Sequence, residues 1–318
     1  MGCRRFALAA AALLAACSGA LAQNYPTQRV SIVVPFSAGS ITDGLARILA
    51  DKLGEIWKQT VIVENKPGIP GTASVAKATP DGYTLMLTSN GHTIAGAITR
   101  TLPYDPVKDF AGVTQVASAA LVVIVPPDSP AKTLKEFIDL AKQKPGTLNF
   151  SSAGVASTTY LAAEVFKQQA NVNITHVPYR GAPEAVTAVV RGEVQFYFAP
   201  LPNSLELSAT NKVRALAVST AQRVKPWPDL PTVAEAGVPG YKYDSWFAVM
   251  APANTPKPIL NKVSRDIATV LKMPDVVEKL EAQGSFPFTN TPDEFDVILK
   301  NDTERYTKLL KDAGIEPH

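Results

Sequence analysis

The sequence predicts an α/β fold made of two units. Short apolar strands alternate with helical segments along the chain, a pattern of βαβ construction that predicts a mostly parallel sheet. A strand that leads through small residues into a helix occurs once in each unit. Two further apolar strands, at residues 113–126 and 246–251, lie where the chain would cross between the units.

The first 22 residues predict a secretory leader. Arg4 and Arg5 precede the uncharged residues 6–16, a run shorter than the roughly 20 apolar residues that span a bilayer. Two processing sites remain open. The small-x-small pattern favours cleavage after Ala22, whereas a lipobox-like run would leave a lipid anchor on Cys17. Either route predicts a chain that leaves the cytosol, free or tethered by its N-terminus.

Charge and cysteine content exclude several classes of function. Removing residues 1–22 takes away two of the 31 basic residues and none of the 28 acidic ones, which leaves a formal charge of +1. That balance, without a basic cluster interleaved with aromatic residues, argues against a nucleic-acid partner. Both cysteines, Cys3 and Cys17, lie in the leader, so we expect no disulfide, thiol nucleophile or cysteine-bound metal in the mature chain.

The elements of each unit are predicted from apolar runs and their boundaries. The first unit has strands at 30–34, 60–63 and 83–88, a helix to about residue 56, and a Gly/Pro turn at 66–71 followed by a short helix. The second has helices at 133–142, 158–169 and 183–191 and strands at 148–151, 174–177, 194–198 and 213–219, and three helical segments follow residue 252. We expect domain 1 to comprise residues 23–122 and 248–318, and domain 2 residues 123–247.

The two strand-to-helix loops are the candidate binding sites. In the first, Ser40 and Asp43 form a capping box after three small residues, and the unpaired amides of a helix start favour a carboxylate or phosphate. Asp43 could cap the helix or contact a ligand amine, and Arg180 could pair with a carboxylate or only border the cleft. The candidate ligand-binding residues are Phe36, Ser37, Ala38, Gly39, Ser40, Thr42, Asp43, Ser89, His92, Ser152, Ala153, Gly154, Val155, Ala156, Ser157, Thr158 and Arg180.

Catalytic motifs are missing from the sequence. It contains no nucleophile elbow, phosphate-binding loop, dinucleotide fingerprint or zinc-protease motif, and His92, His176 and His318 are its only histidines. His92 follows a strand at a point where α/β proteins open their ligand crevices, and His176 at a strand end is expected to be structural. We therefore predict a protein that is not an enzyme and needs no cofactor or metal.

Several motifs together carry a resemblance to a known family. They are Tyr25-Pro26, Pro35-Phe-Ser-Ala-Gly-Ser-Ile-Thr-Asp43 with Arg47, Glu64-Asn-Lys-Pro-Gly68, Pro80-Asp-Gly-Tyr-Thr84, Leu102-Pro-Tyr-Asp-Pro106, Asp109-Phe110, Pro178-Tyr-Arg-Gly181 and Pro231-Thr-Val-Ala-Glu-Ala-Gly237. Over nearly the whole mature chain the sequence resembles the tripartite tricarboxylate transporter substrate-binding family, also called Bug proteins. It departs from the commoner pattern of that family at Gly39-Ser40, Ile69-Pro70, Thr159-Tyr160 and Ala188.

The resemblance implies both a fold and a role. The fold is a type II periplasmic-binding-protein fold, a Venus flytrap clamshell with two crossover strands. Main-chain amides and hydroxyls of residues 37–42 and 152–158 would hold a carboxylate, and integral-membrane permease subunits would receive it. We expect a monomer, because one clamshell completes its own pocket.

The leading hypothesis is thus a periplasmic solute-binding protein that performs no chemistry. Its ligand is expected to be a small organic carboxylate, either a di- or tricarboxylate or an aromatic acid. One alternative is a sensor or adaptor that presents the ligand to a membrane receptor. The other is a secreted enzyme that uses Asp43 or His92 as acid or base.

Overall fold

The fold is taken from a computed structural model, which describes residues 25–155, 157–243, 245–282, 285–312, 314 and 316–317. The predicted leader with both processing sites lies outside the described residues. So do the site candidate Ala156 and His318. Within the described ranges, none of the helices combines the length and the hydropathy that a bilayer span requires.

Strands and helices alternate along the chain and build two sheets. In chain order they are β1 (Val30–Val34), α1 (Ile41–Trp57), β2 (Val61–Asn65), α2 (Ile69–Ala76), β3 (Thr84–Ser89), a 3₁₀ turn (Asn90–Ile94), α3 (Ala95–Ile98), β4 (Phe110–Ala119), β5 (Leu121–Val125), α4 (Leu134–Gln143), β6 (Asn149–Ser152), α5 (Thr158–Ala170), β7 (Thr175–Pro178), α6 (Ala182–Val190), β8 (Phe196–Pro200), α7 (Leu201–Ala209), β9 (Arg214–Val218), β10 (Ser245–Pro252), α8 (Lys257–Val270), α9 (Pro274–Ala282), β11 (Ser285–Pro287) and α10 (Pro292–Asp312). The first sheet has the spatial order β11-β4-β10-β3-β1-β2, and the second has the order β7-β6-β8-β5-β9. We call the two halves built on these sheets the first lobe and the second lobe.

Both sheets are mixed, so the prediction of mostly parallel sheets is wrong. β1 pairs in parallel with β2 and β3, and β6 pairs in parallel with β7 and β8, as βαβ crossovers require. β10, however, is antiparallel to both β3 and β4, and β5 is antiparallel to both β8 and β9. These strands enter their sheets from the other lobe rather than through a helical crossover. Their direction is therefore not fixed by the βαβ rule that supported the prediction.

The chain crosses between the lobes at two adjacent places. Ala119 at the end of β4 pairs with Ser245 in the first sheet, and Leu121 at the start of β5 pairs with Pro200 in the second. The apolar stretch at 113–126 is thus one nearly continuous strand that changes sheets at Ala120. The return lies just before β10 rather than within it, because all the strand pairs that β10 makes are with strands of the first sheet. The two connections thus run side by side and in opposite directions between the lobes.

The C-terminal helix α10 runs along the first lobe and ends at an apolar cluster that both lobes share. Phe295 and Leu299, near its start, pack in a cluster with strands of the first sheet. Tyr306, Leu309 and Leu310, two to three turns later, belong to a cluster that contains Ile94 and Ile98 of the first lobe and the core residues of the second. The lobes are therefore joined by a shared apolar cluster as well as by two strands.

Candidate ligand-binding site

A cleft of about 480 Å³ lies between the lobes, where five parallel strands end. The volume suits a small molecule, and the carboxyl ends of parallel strands are where α/β proteins bind ligands. The first lobe contributes the segments after β1, β2 and β3, and the second contributes those after β6 and β7. The lining residues are Pro35, Phe36, Ser37, Pro67, Gly68, Ile69, Pro70, Thr72, Thr88, Gly91, His92, Ala95, Ile98, Thr99, Tyr104, Ala153, Gly154, Val155, Ser157, Tyr179 and Arg180.

The first loop is held in shape by the buried carboxylate of Asp43. The Ser40 hydroxyl accepts from the Asp43 amide at 3.2 Å, which confirms the predicted cap of α1. The Asp43 carboxylate accepts from the Gly39 amide at 2.9 Å, from Arg47 at 2.9 and 3.1 Å, and from Asn65 at 3.0 Å. Burial raises the pKa of this carboxyl, but the hydrogen bonds and the charge of Arg47 outweigh burial and hold the pKa below its usual value. The ionised carboxylate of Asp43 therefore fixes the shape of the loop, and both of its oxygens accept hydrogen bonds from protein groups.

The second loop is tied together by hydroxyl groups. The Ala153 amide donates to Thr159 Oγ1 at 3.0 Å, and the Gly154 amide donates to Ser152 Oγ at 3.1 Å. Gly154 has a φ of 111°, which favours glycine, and its carbonyl accepts from the Ser157 hydroxyl at 2.6 Å. Ser157 in turn caps α5, since its hydroxyl accepts from the Tyr160 amide.

His176 forms a hydrogen bond with the residue at the start of the second loop. Its Nε2 lies 2.7 Å from Ser152 Oγ, and its ring stacks on Phe150 with 4.7 Å between the ring centroids. Burial, and next the charge of Lys167, lower the pKa of His176 to about 4. A neutral, hydrogen-bonded imidazole at a strand end agrees with the structural role that the sequence predicts.

His92 lies on the first-lobe wall of the cleft as a neutral imidazole. Its Nε2 is 2.8 Å from the Pro106 carbonyl oxygen, which can only accept, so Nε2 carries the proton and Nδ1 is the acceptor. Burial lowers the pKa of His92 to about 4, although the bond to Pro106 acts in the opposite direction. The ring packs edge-on against Phe110 at 4.9 Å between centroids. At neutral pH His92 is a weak base fixed in the wall, which does not favour its use as an acid or base.

Arg180 supplies the charge of the cleft. It lies between β7 and α6, it is exposed, and its amide donates to Glu184 Oε2 at 3.1 Å. Within the described part of the chain, its guanidinium has no hydrogen-bond or ion-pair partner. Since His92 is neutral, Arg180 is the charged side chain among the described lining residues. An unpaired guanidinium in a cleft is suited to bind a carboxylate.

The structure brings about half of the predicted site residues to the cleft surface. Phe36, Ser37, His92, Ala153, Gly154, Val155, Ser157 and Arg180 line it. Gly39, Ser40, Asp43 and Ser152 are not lining residues, but they take part in the hydrogen bonds that shape the two loops. Ser157 does both, since it lines the cleft and its hydroxyl donates to the Gly154 carbonyl. Ala38, Thr42, Ser89 and Thr158 are not among the lining residues either, and Ser89 is buried at the end of β3.

Several lining residues have no counterpart among the predicted site residues. Ile69 and Pro70 are the first residues of α2, at a place where the sequence predicts a Gly/Pro turn, and Tyr104 lies in an irregular segment without periodicity. The position of Ile69 could have been found, since it follows β2, which was predicted to lie in the same sheet as β1. Tyr104 has no local signal that points to the cleft.

The described residues contain no group of three or more histidine, cysteine or carboxylate side chains that could hold a metal ion. The site consists instead of a cleft with one cation, two hydroxyl-rich loops and an apolar wall formed by Ile69, Pro70, Ile98 and Tyr104. These features suit reversible binding of a small anion. Two α/β lobes that are joined by a double connection and enclose such a cleft define the class of periplasmic solute-binding proteins.

Comparison with known proteins gives the family. Residues 45–315 match the tripartite tricarboxylate transporter family receptor, TctC, and the chain belongs to this family. It is 32% identical over 298 residues to the protein BugT of Bordetella pertussis, covering 92% of this chain and 91% of BugT. The predicted membership of the Bug family and the predicted clamshell fold are thus confirmed.

Two solved structures are similar over almost the whole chain. R. palustris Rpa4515 with adipate has a TM-score of 0.85 and 35% identity, over 92% of this chain and 100% of that one. MatC from Rhodopseudomonas palustris with bound malate has a TM-score of 0.81 and 29% identity, over 90% of this chain and 100% of that one. The family and these neighbours are solute-binding receptors and not enzymes.

Proposed function

We propose that this protein captures a small organic carboxylate in the interlobe cleft and delivers it to the permease subunits of a tripartite tricarboxylate transporter. The observation that carries the proposal is the unpaired guanidinium of Arg180 in a cleft whose other described lining residues are uncharged. The adipate and malate bound by the two neighbouring structures are both carboxylates, which supports the same class of ligand here.

Domain closure is the proposed mechanism. We assign residues 23–122 and 248–318 to domain 1 and residues 123–247 to domain 2. In this proposal the two domains move about a hinge formed by the connections near Ala120. A ligand that contacts Ser37 on one side and Arg180 on the other gains contacts only when both lobes are close, so it shifts the population towards the closed state. The permease would then recognise the closed form.

The proposed location is the periplasm, reached through the leader at residues 1–22. Cleavage after Ala22 would release the protein, and processing at Cys17 would tether it by lipid. The proposed assembly is a monomer, because a single chain supplies both walls of the cleft. A sensor that presents the closed form to a membrane receptor would use the same geometry and differs only in its partner.

Thermal unfolding tests the proposal. The purified protein, unfolded and refolded to remove retained ligand, is screened against mono-, di- and tricarboxylates and their neutral amides. A ligand at a hundredfold excess over its Kd is expected to stabilise the protein by about 2.7 kcal/mol. Arg180→Gln is expected to lose this stabilisation, whereas Arg191→Gln should retain it, since Arg191 is on the same lobe but outside this cleft.

The outcomes separate the possibilities. Stabilisation by carboxylates but not by their amides, lost only in Arg180→Gln, supports the proposal. Equal stabilisation by an acid and its amide, or full retention in Arg180→Gln, contradicts the role of the guanidinium. Catalytic turnover of a bound acid would instead support the alternative that the protein is an enzyme.

A further inference from the structure

The inner end of the cleft is formed by Thr88, Gly91 and His92 of the first lobe, at the end of β3 and in the 3₁₀ turn that follows it. These lining residues are buried, with Thr88 only 2% and His92 5% exposed, whereas the lining residues Ser37 and Arg180 are exposed. A ligand whose carboxylate lies beside Arg180 can therefore place another of its groups at the inner end.

The Thr88 hydroxyl is a buried polar group that the protein leaves unpaired. Thr88 lies on an inner strand of the first sheet, where it is paired with Ala248 of β10. Within the described part of the chain, its hydroxyl makes no hydrogen bond. Buried hydroxyl groups in proteins are normally hydrogen-bonded. The unpaired hydroxyl of a buried lining residue is therefore a place where a ligand or a water molecule can bind.

His92 offers an acceptor at the same end of the cleft. Its Nε2 donates to the Pro106 carbonyl, so Nδ1 of the neutral ring carries a lone pair, and no described residue donates to it. The ring lies parallel to Tyr104 at 6.1 Å and edge-on to Phe110 at 4.9 Å between centroids. Turning the ring over would break the bond to Pro106, so Nδ1 is fixed as a group that accepts and does not donate.

Thr88 and His92 adjoin the same hydrophobic cluster. Side chains alternate along a strand, so Thr88 lies on the same face of β3 as Met86. Met86 packs in one cluster with Tyr104 and Phe110, the two rings that hold His92. The cleft therefore presents a hydroxyl and an imidazole acceptor on one face of the first sheet.

A hydroxyl is the ligand group that best complements this pair. It can accept a hydrogen bond from Thr88 and donate one to His92 Nδ1, because it is both an acceptor and a donor. An oxo group only accepts, and a methylene group leaves both protein groups unpaired. An ammonium group would find no carboxylate side chain among the described lining residues. A ligand that displaces ordered water without replacing its hydrogen bonds loses affinity.

We infer that Thr88 and His92 form a subsite for a hydroxyl group of the ligand, so that the cleft prefers hydroxy acids to the matching unsubstituted and oxo acids. A carboxylate of the same ligand pairs with Arg180. This inference rests on the proposed function, because it assumes that the cleft binds an acid. It goes further in naming a second ligand group and the two residues that select it, and it leaves the number of carboxylates open.

Isothermal titration with matched acids tests the inference. Each set contains an unsubstituted acid, its hydroxy acid in both enantiomers and its oxo acid. The sets are succinate, malate and oxaloacetate; butyrate, β-hydroxybutyrate and acetoacetate; and phenylacetate, mandelate and phenylglyoxylate. We expect one hydroxy acid to bind about tenfold or more tightly than both other members of its set.

Thr88→Val removes the hydroxyl with little change of shape. It is expected to reduce the affinity for that hydroxy acid to the level of the unsubstituted acid, and to leave the unsubstituted acid unchanged. Thr84→Val is the matched control, because Thr84 lies on the same strand, outside the cleft lining, and its side chain makes no hydrogen bond in the described part of the chain. It should retain the affinity for all members of the set.

Nitrogen NMR of the histidine rings gives a second measurement that does not depend on a variant of the subsite. The chain has three histidines, and the signals of His92 are identified by their absence from His92→Gln. Binding of the preferred hydroxy acid should shift the Nδ1 signal towards the position of a protonated nitrogen, because Nδ1 then accepts a hydrogen bond. The unsubstituted acid should not cause this shift.

The possible results are distinguishable. Unsubstituted acids that bind as tightly as their hydroxy acids in every set, with binding still lost in Arg180→Gln, would overturn the inference and leave the proposed function standing. An equal loss of affinity for all acids in Thr88→Val would overturn the role of Thr88 in selection. Equal affinity for hydroxy and oxo acids, or an unshifted Nδ1 signal, would overturn the role of His92. If these sets and the wider carboxylate panel all fail to bind, the proposed function fails as well.

Discussion

Replacing Asp43 by asparagine tests whether one buried carboxylate organises the first wall of the cleft. The carboxylate accepts four hydrogen bonds, from Gly39, Asn65 and twice from Arg47. Asparagine keeps one acceptor oxygen and places an amide group opposite the remaining donors. Two accepted bonds are lost, and because a hydrogen bond to a charged group contributes about 1.5–3 kcal/mol, we expect a loss of stability of about 3 kcal/mol.

The pH dependence of this loss identifies its cause. The folded-state pKa of Asp43 lies below the ordinary value of about 3.9, so its stabilisation is fully present above that pH and disappears as the pH falls through the folded-state pKa. The difference in unfolding free energy between wild type and Asp43→Asn should therefore be constant near neutrality and shrink at acidic pH.

Urea unfolding at a series of pH values measures this difference. Asp51→Asn is the control, because Asp51 is exposed on the same helix, and it should change stability by less than about 0.5 kcal/mol. Asn65 also donates to the Phe36 carbonyl at 3.2 Å, so Asp43→Asn should weaken ligand binding as well. An unfolding free energy equal to that of Asp51→Asn, or a difference that does not change with pH, would refute the organising role of the carboxylate.

Three further variants test other features of the cleft. Gly154→Val forces a branched side chain to a φ of 111°, so it should cost about 1–3 kcal/mol and weaken carboxylate binding in titration; unchanged affinity would contradict a role for this loop. Gly71→Ala would place its Cβ 1.9 Å from the Lys66 carbonyl oxygen, so it should lower stability by about 1–3 kcal/mol and reduce carboxylate affinity. A melting curve identical to that of the wild type would contradict the tight packing of this glycine. Because burial lowers the pKa of His92 to about 4, its unfolded form binds a proton first, and the unfolding free energy should fall by about 1.4 kcal/mol per pH unit from about pH 6.5 towards 4. His92→Gln should remove that contribution to the slope, and an identical pH profile would be evidence against a neutral buried imidazole.

The elements that the sequence predicts well are those that local patterns determine. The strand before Pro35 and the cap of α1 at Ser40 depend on residues that are adjacent in the chain, and both are present in the structure. α7 has no counterpart among the predicted segments, because prolines at 200 and 202 suggest a loop even though proline is compatible with a first helical turn. The direction of β10 depends on how the chain returns from the other lobe, which no local pattern records.

The candidate site divides in the same way. The glycine- and serine-rich loops and Arg180 were predicted because each follows a strand and precedes a helix. The apolar wall was not predicted. Its residues Tyr104 and Ile69 come together only after β2, β3 and the segment before β4 have packed together. The sequence also left open whether Asp43 contacts a ligand or caps the helix. The structure shows that its carboxylate accepts a hydrogen bond from Asn65, which is distant in the sequence.

The cluster at the end of α10 bears on how the cleft can open. Leu309 and Leu310 pack in a cluster that contains Ile94 and Ile98 of the first lobe together with core residues of the second lobe. An opening that separated the lobes at this cluster would expose apolar side chains to water, at about 25 cal/mol per Å² of apolar surface. We therefore expect the empty protein to open by a rotation that keeps the cluster packed. Less of the ligand's binding energy is then consumed in bringing the two sides of the cleft together.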